Sequence, residues 1–127
     1  MFFENDWIMR QIHMLVQFIA RIVFQKDTVS YEIEDESRLT DTDELYQRLQ
    51  ALLKEGNICE AEDLLFDNRA DSDAYLALAL DFYQTVAKMS DEELERHNFS
   101  RQEIYDGIKE TVVRYNGTLL PMFDEHG

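Results

Sequence analysis

Polar residues punctuate the first 25 positions with a helical rhythm. Asp6, Arg10, His13, Gln17 and Arg21 step by 4, 3, 4 and 4 residues, which sets them on one side of a helix over residues 3–25. Almost every other position is apolar. A surface helix normally carries an apolar stripe of roughly 100° or a little more, whereas here the polar strip is the narrow part. Such a helix has to be covered on more than one side. Ile8, Ile12, Leu15, Ile19 and Ile22 follow one another at 4-3-4-3 steps, the spacing of a coiled-coil seam, and Trp7 borders them. The expectation is that Trp7, Ile8, Ile12, Leu15, Ile19 and Ile22 form the contact of a homodimer. Two other placements compete. One makes the helix the central helix of a one-chain bundle. The other lays it in a lipid interface with Trp7, Phe2 and Phe3 as anchors.

Beyond Lys26 the rhythm changes. Val29, Tyr31 and Ile33 alternate with Ser30, Glu32 and Glu34, a period of two, before the acidic run Glu34-Asp35-Glu36. This predicts an extended connector over 27–40, laid by its apolar side on the core. From 41 to 117 the period is helical again. A helix begins near Thr40 or Asp41, with Glu44 in capping-box position for Asp41, and runs through Leu45, Leu49, Leu52 and Leu53 to Gly56. Asn57 is placed to cap the next helix, which turns Ala61, Leu64, Leu65 and Phe66 inward, so the pair forms an αα-hairpin. A third long helix carries Tyr75, Ala79, Phe82, Val86 and Met89 on one face, widened by Leu76, Leu80 and Tyr83. Ser90 with Glu93 and Ser100 with Glu103 are capping boxes, each preceded by an apolar residue, Met89 or Phe99, that can staple to Leu94 or Ile104. The last helix presents Ile104, Ile108, Val112 and Tyr115 and stops at Asn116-Gly117. Residues 118–127 form an apolar tail with Leu119, Leu120, Met122 and Phe123. The fold class is therefore all-α, about five helices in one domain over 1–127, with residues 1–26 as an association helix.

Composition narrows the partners. The chain has 127 residues, 27 of them acidic and 12 basic, for a net charge of −15. Direct nucleic-acid binding is not expected of it, because that relies on Lys and Arg to neutralise phosphates. The charge is uneven: residues 1–26 carry three basic and two acidic residues, a balance of +1, which leaves −16 on residues 27–127. A hydrophobic content of 45% excludes a disordered acidic tail. Cys59 is the one cysteine, so no disulfide framework exists within the chain, and a reducing, cytoplasmic location is expected. The N-terminal stretch lacks the basic start and unbroken apolar core of a secretory signal.

Two resemblances add to this. Leu45 to Phe66, with Gly56 at the turn, Ala61 at the helix crossing and Leu49 and Leu52 on the first helix, resembles one tetratricopeptide repeat. The usual Trp and closing Pro are absent, and a shift of 34 residues carries Gly56 to Ser90 and Ala61 to Glu95, so there is one unit and no array. The stretches Asn5 to Arg10, Thr42 to Tyr46, Glu60 to Phe66 and Leu80 to Tyr83 together resemble a family of short, acidic, all-helical bacterial proteins of unknown function. That resemblance implies a bacterial cytoplasmic helical domain and carries no activity.

Candidate chemistry is sparse. Asp67 to Leu78 has the acid density of a calcium loop, but Arg69, Ser72 and Leu78 stand where a ligand, a glycine and a glutamate belong; capping by Asp71 or Ser72 accounts for the segment better. Glu93 and His97 lie four apart, the spacing of a surface helix pair as well as of two metal ligands. Glu60, Glu62 and Asp63 make the surround of Cys59 negative, which opposes a reactive thiolate. No catalytic set, cofactor or metal is implied. The expected function is a non-enzymatic protein–protein interaction module that self-associates through its N-terminal helix. The alternative is a peripheral membrane protein using the same helix.

Overall fold

The computed structural model describes residues 2–115. Among them are six α-helices and no strand: α1 (Phe2–Ile19), α2 (Asp41–Lys54), α3 (Ile58–Asp67), α4 (Asp73–Ala87), α5 (Asp91–Arg96) and α6 (Arg101–Tyr115), with a π turn (Ala20–Phe24) extending α1. Asn116-Gly117 and the apolar tail predicted from the sequence lie outside the described residues.

The central helix is α4. Its wide apolar face buries Tyr75, Leu76, Leu78, Ala79, Leu80, Phe82, Tyr83, Val86 and Ala87, and only a narrow side with Asp73, Asp81, Gln84 and Thr85 is polar. Helix α6 packs along one flank of α4 and α2 along another; α3 folds back on α2, and α1 packs on α6. Helix α1 thus sits at the edge of the assembly and does not take the central position that its width of apolar surface suggested.

Local chemistry sets the ends of the elements. Helix α2 starts at Thr40. Its side chain accepts from the Asp43 amide, and the Asp43 carboxylate accepts from the Thr40 amide, each at 3.0 Å. The capping box therefore uses Thr40 and Asp43, and Asp41 with Glu44 does not form it: the chain turns one residue earlier, where a β-region conformation suits threonine. The predicted boxes Ser90–Glu93 and Ser100–Glu103 do form. Asn57 stands at the N-cap of α3 but makes no capping bond, and its side-chain Nδ2 instead donates to the Glu55 carboxylate.

Gly56 closes α2 with φ +81°, and the amides of Gly56 and Asn57 donate to the carbonyls of Leu53 and Leu52. This is the paired arrangement that a left-handed glycine makes possible after a helix. A Cβ there would also lie 2.5 Å from the His97 ring, so the hairpin turn is pinned under the end of α5. Ala61 is fully buried in the α2–α3 hairpin.

The connector is the extended strap read from the sequence. Val29 is buried and Tyr31 and Ile33 are half-buried, while Ser30, Glu32 and Glu34 face water. With no strand beside it, the strap takes its hydrogen bonds from side chains of α4: the Tyr31 amide donates to Asp81 at 2.9 Å, and Gln84 donates to the Val29 carbonyl at 2.8 Å. The Tyr31 hydroxyl donates to Asp43 and joins the strap to the start of α2. At the far end, Arg101 ties α6 to the α4–α5 turn by donating to the Met89 carbonyl and pairing with Asp91.

Candidate interaction surface

The six residues predicted to share one contact on α1 divide into two groups. Ile8, Ile12, Leu15 and Ile19 are buried within the chain itself, Ile12 and Ile19 almost completely. They belong to its own core and are not available to a second copy unless the fold opens. Trp7 and Ile22 remain in water, with 56% and 41% of their surface exposed, and Met14 and Phe18 join them at 57% and 39%.

The geometry of the helix explains the division. Trp7 lies one residue, or about 100°, from the seam that starts at Ile8. Ile22 would continue that seam in a regular α-helix, but the chain widens into a π turn at Ala20 and ends with Gln25 in the left-handed region. The widened turn moves Ile22 out of the seam and into line with Trp7, Met14 and Phe18. It also rescues Phe24. In a continued α-helix Phe24 would fall three residues after Arg21, on the polar strip; here it is half-buried against the core. Turns of this kind recur at functional sites, and nothing in the polar pattern of the sequence announces one.

The resulting stripe of Trp7, Met14, Phe18 and Ile22 is flanked on one side by Asp6, Arg10, His13, Gln17 and Arg21, all exposed. Arg21 pairs with Asp27 at 3.3 Å, both side chains well exposed. The stripe exposes on the order of 400 Å² of apolar surface, within the range of patches on monomers that are often functional. No helix among the described residues is long and apolar enough to cross a membrane.

Other places were candidates for chemistry. Cys59 is exposed, and burial of its sulfur together with the carboxylates of Glu103, Glu62 and Asp63 raises its thiol pKa, which opposes thiolate formation. Tyr83 lies fully buried and donates to Glu62 at 2.6 Å. Gly107 makes room for that ring, since a Cβ at 107 would come within 2.3 Å of the Tyr83 hydroxyl. Burial raises the Glu62 carboxyl pKa, Tyr83 pulls it down, and Glu103 and Asp63 add to the rise. Burial and Glu62 push the Tyr83 phenol far above its ordinary range. The sequence marked none of this, because the partners come from three helices.

A cleft of about 310 Å³ opens between α3, α4 and the end of α6, lined by Phe66, Arg69, Tyr75, Arg114 and Tyr115. Its phenols are engaged: Tyr75 donates to the Leu65 carbonyl at 2.7 Å and Tyr115 donates to Asp73. Ser72 caps α4 by accepting from the Tyr75 amide, which settles the acid-rich segment as a helix start. His97 packs its ring at Gly56, and no group of three or more His, Cys, Asp or Glu among the described residues is placed to hold a metal.

Fold and surface together define an all-α domain whose edge helix presents an apolar stripe beside a polar strip. The profile of a family of unknown function, DUF6483, matches residues 2–116, and the chain belongs to that family. No curated protein and no solved structure matches the chain.

Proposed function

We propose that the chain is a protein–protein interaction module, not an enzyme, and that it self-associates through the exposed stripe of α1. The observation that carries this reading is the line of Trp7, Met14 and Ile22 on an edge helix whose opposite face is already filled by the core. Contiguous apolar surface of this size has a cost in water that a second apolar surface removes. Charge supports the same placement. The stripe lies in the segment with a balance of +1, whereas the −16 of residues 27–127 keeps copies apart elsewhere. The contact differs from the one expected of the sequence: Ile8, Ile12, Leu15 and Ile19 hold the helix to its own chain, and Trp7, Met14 and Ile22 face the partner.

Light scattering over a dilution series tests the reading. The wild type is expected to be a dimer at high concentration that dissociates on dilution, and Met14→Lys is expected to stay monomeric with an unchanged circular dichroism spectrum. A wild type that is monomeric at every concentration would overturn self-association. Sedimentation of that monomer with neutral phosphatidylcholine vesicles would assign the stripe to a lipid interface instead.

A further inference from the structure

We infer that two copies pair their α1 helices antiparallel, about a two-fold axis that crosses the helix near Met14. This rests on the self-association just proposed, and it follows from the order of residues on the exposed face. Read from either end, an exposed apolar residue closes the face and Met14 stands near its middle, while Phe18 has the half-buried Gln11 at its matching height. Trp7 stands as far to one side of Met14 as Ile22 stands to the other, to within one residue. On the flanking strip, Asp6 matches Arg21, Arg10 matches Gln17, and His13 lies near the middle. The span from Trp7 to Ile22 is about 22 Å at the rise of a helix.

Symmetry decides which flanks meet. A two-fold axis perpendicular to the helices sets the polar strip of one copy beside the polar strip of the other, running in reverse. Asp6 of each copy then faces Arg21 of its partner, and the apolar stripe closes on itself with Trp7 against Ile22 and Met14 against Met14. Arg21 can accept this neighbour, because its intrachain pair with Asp27 is solvent-exposed and a guanidinium has five donors. A two-fold axis parallel to the helices gives a different result. The polar strip of each copy would meet the partner's opposite flank, where Ile8 and Leu15 are covered by their own chain, and Arg10 and Arg21 would gain no acid.

Cross-linking with a short bismaleimide in a Cys59→Ser background tests the direction. Met14→Cys is expected to cross-link to itself. Trp7→Cys and Ile22→Cys are each expected to cross-link poorly alone and efficiently when mixed. Trp7→Cys that cross-links to itself as well as in the mixture would overturn the antiparallel arrangement while leaving self-association in place. Absence of dimer by light scattering, with no cross-link in any variant, would overturn self-association and this inference with it. Charge reversal gives a second measurement on the intact surface. Asp6→Arg is expected to weaken the dimer about threefold to thirtyfold, allowing for two symmetric exposed pairs, and Asp6→Arg with Arg21→Asp is expected to restore it. A double variant as weak as the single one would overturn the Asp6–Arg21 contact.

Discussion

Helix α4 buries nine of its fifteen residues, whereas α1, nearly as apolar, keeps Trp7, Met14 and Ile22 on the surface. The difference lies in neighbours. Helix α4 is flanked by α2 and α6, and the strap is bonded to its Asp81 and Gln84. Helix α1 has α6 as its main helical neighbour. Similar hydrophobicity therefore has different surroundings at the two places: in α4 it holds one chain together, and on the outer face of α1 it stays exposed.

The largest contrast should come from truncating one large side chain in each helix. Leu76→Ala empties a fully buried site in α4 and is expected to cost about 2–5 kcal/mol. Met14→Ala is expected to stay within about 0.5 kcal/mol, because its site is open to water. Urea unfolding at a concentration that keeps the chain monomeric measures both; equal losses would erase the distinction between the two helices.

A smaller effect is expected where α6 meets α4. Gly107→Ala puts a methyl group against the fully buried Tyr83 ring and should cost about 1–3 kcal/mol. A thermal melt like that of the wild type would show that α6 can shift outward on the side that carries α1.

The smallest effect concerns pH, again on the α4 side. The Glu62 carboxyl has its pKa raised by burial, so the folded chain binds that proton more tightly than the unfolded one. Its contribution to stability therefore falls as pH rises through the interval above the ordinary carboxylate value. Glu62→Gln, which stays neutral and still accepts from Tyr83, should melt higher than the wild type at pH 8, and its advantage should shrink as the pH is lowered toward 4. Asp43 acts in the opposite sense. The Thr40 amide and the Tyr31 hydroxyl hold its pKa down, so its contribution is lost only as pH falls below the usual carboxylate range. A gap between wild type and Glu62→Gln that does not vary with pH would show that Glu62 titrates as an ordinary surface acid.

Much of the architecture could be read from periodicity, because helices and their caps are local. Ser90, Ser100 and Gly56 end or begin elements through bonds to residues three or four positions away, and the alternation of Val29, Tyr31 and Ile33 survives as a half-buried strap. The candidate surface was legible only in part. The width of apolar surface on α1 was evident, but which face it turns inward depends on α6, more than 80 residues downstream, and on a π turn that leaves no mark in the polar spacing. The Tyr83–Glu62–Gly107 junction was hidden for the same reason, since its members lie on α4, α3 and α6.

The pairing of α1 with α6 also bears on how the chain is made. Eighty-one residues, positions 20–100, separate the end of one helix from the start of the other. A ribosome adding about 5–20 residues per second needs about 4–16 s to bridge that gap. Throughout that interval Ile8, Ile12, Leu15 and Ile19 have no α6 to receive them, so α1, made before α2 to α6, waits longest for its seat. Helices α2, α3 and α4 are contiguous and can collapse without waiting, which leaves α1 as the segment of the nascent domain whose apolar residues stay uncovered longest.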